Sequence, residues 1–109
     1  MLLERIREYF NRRSNQRDAE KGATPERRTL AIQNGETAGR LLANQDFALM
    51  FNLYRFDMLS QLEDSATDEE RIRNAHYVAG VRDFVSFVEK TEYIGKLAQK
   101  NVQQTNEMG

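Results

Sequence analysis

The sequence predicts an all-α fold: a long antiparallel helical hairpin, with a short N-terminal amphipathic helix carried on a polar linker. Three observations predict it. Apolar residues recur at three- and four-residue steps through NQDFALMFNLYRFDMLSQL and again through DEERIRNAHYVAGVRDFVSFVEK. The intervening EDSAT ends in a helix-start signal, because Thr67 stands three residues before Glu70, the spacing of a capping box. The single proline, Pro25, lies outside both long stretches, as continuous helices require.

Four segments follow in order. Residues 1–13 read as an amphipathic helix, with Leu2, Leu3, Ile6, Tyr9 and Phe10 on one face and Glu4, Arg5, Arg7 and Glu8 elsewhere. So short a helix is marginal in water and has to dock: on its own hairpin, on another subunit, or on a membrane surface. The membrane reading is the weakest, since Glu4 and Glu8 offset Arg5 and Arg7 where an interfacial helix has a cationic polar face. Residues 14–36 read as a polar, basic linker, either flexible or forming a short exposed helix, with too few apolar side chains to offset the entropy of ordering a packed segment. Within it Leu30 and Ile32 suggest a brief extended contact, and Asn34 with Gly35 suggests a turn.

Residues 37–100 form the hairpin domain. Thr37 is placed to cap a short helix through Ala43, and Asn44 to cap the first long arm with Asp46 in its first turn. In the second arm Gly80 marks a site of close backbone approach, and Gly95 a break or kink. Residues 101–109 are a polar tail that should fray.

Composition removes several classes of function. Charged residues make up 30% of the chain, and no apolar run approaches the roughly 20 residues that span a bilayer. The charged start, MLLERIREYF, is unlike a secretory signal, so export by that route is not expected. Without cysteine there are no disulfides, thiolate nucleophiles or thiolate metal sites, and the lone His76 excludes a site built from several imidazoles. His76 and Asp83 share a helical face, but without a positioned nucleophile they read as surface hydrogen-bonding groups. The acids Asp64, Asp68, Glu69 and Glu70 lack the alternating ligands and central glycine of a calcium loop and suit a helix start. No catalytic residue, metal or cofactor is expected.

The first 36 residues carry eight arginines and lysines against six acids. Such mild asymmetry, with acids interleaved, is weaker than a nucleic-acid footprint. Phosphate contact through Arg12, Arg13, Arg27 and Arg28 nevertheless stays open.

The arms pose a packing problem. In the first, Phe47, Met50, Phe51, Tyr54, Met58 and Leu62 make one stripe, and Leu49, Leu53 and Phe56 a second, nearly opposite. In the second arm, Ile72, Ala75, Ala79, Phe87, Ile94 and Leu97 make one stripe, while Tyr77, Val81, Phe84 and Val88 make another. Two helices cover only one face of each other. The second faces therefore need the N-terminal helix, another copy, or a different protein. The predicted partner-binding residues are Leu2, Leu3, Ile6, Tyr9, Phe10, Leu49, Leu53, Phe56, Tyr77, Val81, Phe84 and Val88.

The stretches AGRLLANQDFALMF, DSATDEERIRNAHYVAGVRDFV and YIGKLAQK resemble those of small helical-hairpin proteins of tailed bacteriophages. The residues that carry the resemblance are Leu41, Leu42, Asn44, Phe47, Phe51, Asp68, Glu70, Arg71, Gly95 and Lys96, within residues 38–99. It implies a phage context more than an activity; together with the packing problem and the lack of a catalytic motif, the expectation is a non-enzymatic virion structural or assembly protein, oligomeric or part of a larger assembly, in the virion or host cytoplasm. Its partners would be protein subunits, with no membrane role. The alternative is a DNA-binding packaging or regulatory factor, like a small terminase subunit, using the four arginines.

Overall fold

A computed structural model describes the backbone of residues 1–20 and 24–108, and the side chains of residues 1–17 and 25–103. The described chain is all-α: α1 (Leu2–Glu20), α2 (Thr24–Ala43), α3 (Gln45–Glu63) and α4 (Asp68–Met108).

Local chemistry sets the helix ends. The Asn44 side chain accepts a hydrogen bond of 2.8 Å from the Phe47 N–H, so Asn44 caps α3 as its sequence position predicts. At α4 the Glu70 N–H donates to Thr67 Oγ1 at 3.1 Å, and Glu70 Oε2 accepts from the Ala66 N–H at 3.0 Å. The capping box is therefore present, its carboxylate reaching one residue further back than the cap itself. Asn74 fastens the same turn from the next helix, donating to Ser65 Oγ at 2.9 Å and to the Gln61 carbonyl at 3.2 Å. Thr67→Ala should cost about 1 kcal/mol, measured as a lower urea midpoint with an unchanged slope.

The segment expected as a linker is helical wherever it is described. Residues 14–20 complete α1, 24–36 are the start of α2, and 21–23 lie outside the described residues. Pro25 occupies the first turn of α2, where an N–H would have no partner. Asn34 and Gly35 lie in mid-helix, not in a turn. Thr37 caps nothing, its hydroxyl donating to the Gln33 carbonyl one turn back at 3.1 Å. Ten of the nineteen residues 11–29 are arginine, glutamate, glutamine or alanine, all good helix formers, and Glu8 supports Arg12 at 3.2 Å. Low hydrophobicity argued against packing here, but it did not argue against a helix. At the other end α4 runs on through the expected tail to Met108 without breaking at Gly95.

The hairpin is twice as long as the sequence suggests. Asn44 alone separates α2 from α3, and the two lie end to end along α4. Gln61 bonds Asn74, the Phe47 and Phe84 rings stand 6.3 Å apart, and Gly35 meets Gly95, so the pairing runs antiparallel along α4. At 1.5 Å per residue α4 is about 60 Å long, which accounts for the 63 Å long axis of the molecule.

The seam is the feature missed in the sequence. Buried and half-buried positions on α4 include Asn74, Val78, Val81, Val85, Val88, Glu92 and Gly95, spaced alternately four and three apart. Ala31, Gly35, Ala38 and Leu42 supply the corresponding line on α2. This is coiled-coil spacing, and it takes in Val81 and Val88 from the edge of the second stripe expected on α4. Val78 and Val85 belonged to neither stripe. Met50 and Tyr54, expected in the first-arm core, are exposed, whereas Phe47, Phe51, Met58 and Leu62 are half-buried.

Gly35 and Gly95 form the tightest crossing. A Cβ built on Gly35 would stand 2.7 Å from the Gly95 Cα, and one on Gly95 would stand 2.7 Å from the Gly35 Cα and 2.8 Å from the Ala31 carbonyl oxygen. Gly80, expected to serve this purpose, has open space where its Cβ would be. Close approach thus occurs between α2 and α4 and not between the two expected arms.

Candidate functional site

The hydrophobic core is thin. Among the described hydrophobic residues only Ala38 and Val88 are buried, at 6% and 5% exposure. Helices touching along one narrow seam leave their other faces open, and the apolar residues of this chain are spread around the helices. The candidate site is therefore an exposed surface of apolar side chains rather than a pocket holding reactive groups.

The first exposed face lies on α1. Leu2, Leu3, Ile6, Tyr9 and Phe10 are all at least half exposed, with Leu3 and Phe10 at 71% and 72%. The α1 apolar residues are therefore not covered by the hairpin. The second face lies on α3, where Leu49, Leu53 and Phe56 are exposed as predicted and Met50 and Tyr54 widen the patch. Hydrophobic clusters of this extent are unusual on the surface of a protein that works alone.

The α4 residues predicted for partner binding divide. Tyr77 and Phe84 are about half exposed, with Phe84 leaning on Phe47. Val81 is half-buried in the seam, and Val88 is core. Val88 lines one cleft with Ala38 and Leu41 of α2 and is buried at 5% exposure, so α2, here through residues expected as the short helix after Thr37, stands where another molecule was expected. Ile72 and Phe87, expected to share a packed stripe, are exposed at 61% and 65%.

Between α1, α2 and α4 runs an open groove of about 590 Å³. Ala38, Leu41, Val88 and Ile94 form its apolar part, and Arg13 and Arg27 line it as well. Of the four arginines proposed for phosphate contact, these two line the same groove. Arg12 faces its own helix, its guanidinium 3.2 Å from Glu8 and 5.1 Å from the Tyr9 ring centre. Arg28 is exposed on α2.

Reactive chemistry is sparse. His76 is exposed, and among the described residues no group of three or more histidines and carboxylates could hold a metal ion. Asp68 of the acidic turn pairs with Arg71 at 2.7 Å, and Glu70 completes the cap. Among the described residues no helix is long and apolar enough to cross a membrane. No protein-family model, curated protein or solved structure matches the chain.

Proposed function

We propose that this chain is a non-enzymatic assembly subunit that buries the apolar faces of α1 and α3 against other protein subunits. The resemblance to small proteins of tailed bacteriophages makes a virion structural or assembly role the setting. One observation supports this reading above the others: large apolar residues remain exposed on α1, α3 and α4 while the chain's own core contains little more than Ala38 and Val88. A 109-residue chain with so little buried apolar surface gains stability when a partner covers the rest.

Two measurements test the proposal. Sedimentation of the purified chain, with a dye that reports exposed apolar surface, should show either association or strong dye binding. A compact monomer with little dye binding would overturn the claim that these faces need partners. Mass spectrometry of purified particles and assembly intermediates should detect the chain; absence from both would remove the virion setting.

A further inference from the structure

The two exposed faces differ in charge as well as in position. On α1 the apolar residues Leu2, Leu3, Ile6, Tyr9 and Phe10 form one stripe, and the 100° helical step places Arg5 on one edge of it and Arg7 on the other, both exposed. On α3 the same step places the exposed carboxylates Asp46 and Asp57 between Leu53 on one side and Met50 on the other, inside the apolar patch. One face is apolar with basic edges, and the other is apolar with acids set into it.

The faces also match in length. Leu2 to Phe10 covers about 12 Å of helix, and Asp46 to Asp57 about 16 Å. Within one chain they do not meet, since α1 and α3 make no contact among the described residues. Face-to-face pairing of like with like is opposed: α3 on α3 brings Asp46 and Asp57 against their own copies, and α1 on α1 does the same with Arg5 and Arg7.

Resting on the reading of α1 and α3 as subunit-binding faces, we infer that the partner is a second copy of this chain, with α1 of one copy seated on α3 of the next. Because the two contacting surfaces are different, each copy keeps one face free after the first contact. The free α1 can return to the free α3 of the first copy, which closes a two-fold dimer through two reciprocal contacts, or it can seat on a further copy, which builds a ring or a filament. Arg5 and Arg7 oppose Asp46 and Asp57 across the contact, and the leucines and aromatic rings of both faces leave water together.

Charge exchange tests the pairing. In sedimentation the full-length chain should form dimers or larger species as concentration rises. Arg5→Glu with Arg7→Glu, and separately Asp46→Lys with Asp57→Lys, should each weaken association at least tenfold, and an equimolar mixture of the two variants should restore it. Circular dichroism checks that both remain helical. Disulfide trapping covers the case in which a charge variant does not fold, since the chain has no cysteine of its own. Ile6→Cys mixed with Leu53→Cys should give a covalent dimer that neither variant gives alone. A strictly monomeric chain, failure of the mixture to recover, or trapping by Ile6→Cys alone would each overturn the inference. A monomer that is still found in particles would overturn the self-pairing and leave the assembly role standing; α1-on-α3 species absent from particles would do the reverse.

Discussion

Gly35→Ala should destabilise the fold by about 2–3 kcal/mol, the upper part of the usual range for an overpacked site. The added methyl meets the Gly95 Cα at 2.7 Å and the Thr91 carbonyl oxygen at 3.3 Å. Both are main-chain atoms, so no side chain can rotate away and the two helices must separate. Separation loosens the contacts beside the crossing, including those of Ala38 and Val88, the buried hydrophobic residues among those described. Alanine is the better helix former by about 1 kcal/mol, and the crossing must overcome that gain before a loss is seen. Gly80→Ala isolates the gain, because nothing lies within 4 Å of the added Cβ, and it should stabilise by up to about 1 kcal/mol. Thermal denaturation of the two variants should shift in opposite directions. Equal shifts would show that the glycines act only through helix propensity.

Removal of residues 1–10 should abolish association and leave the hairpin folded. The apolar side chains in this segment are at least half exposed, so its loss takes little buried surface from the chain itself. Helical circular dichroism should fall only by the deleted turns, and the melting temperature should move by a few degrees at most at concentrations where the full chain is monomeric. The association constant should drop by two orders of magnitude or more, because a contact between two helix faces depends on a few large apolar anchors. If the shortened chain unfolded, α1 would be a folding element rather than a docking arm.

Gly39 shows the other side of close packing. A Cβ there would meet Glu92 Oε2 at 2.7 Å, but that carboxylate ends a flexible side chain and can move. Gly39→Ala should therefore be nearly neutral, although the distance equals the one at Gly35. Melting temperatures of the two variants side by side would separate main-chain clash from side-chain crowding.

Much of the candidate site was legible from periodicity alone. Leu49, Leu53 and Phe56 stand on one side of α3, and they are exposed because the arm is apolar on more sides than one partner can cover. The same holds for Leu2, Leu3, Ile6, Tyr9 and Phe10. Val88 was not legible as core. Both stripes of α4 were apolar, and only the position of the partner helix decides which line of residues is buried. Met50 and Tyr54 were misplaced for the same reason: a small rotation of α3 exchanges the seam for the surface at little cost when both sides are hydrophobic.

The sequence by itself determined the helical class, the Asn44 and Thr67 caps and the excess of apolar surface, since each depends on residues within a turn or two of one another. Tertiary structure decided which helix lies against which. The polar stretch before Asn44 contains little that advertises a core segment. It is nonetheless the helix that lies closest to α4, because Ala31, Gly35 and Ala38 are small enough to let two main chains touch. Smallness leaves no mark in hydrophobic periodicity, and its value depends on a second glycine sixty residues away in the sequence, at Gly95.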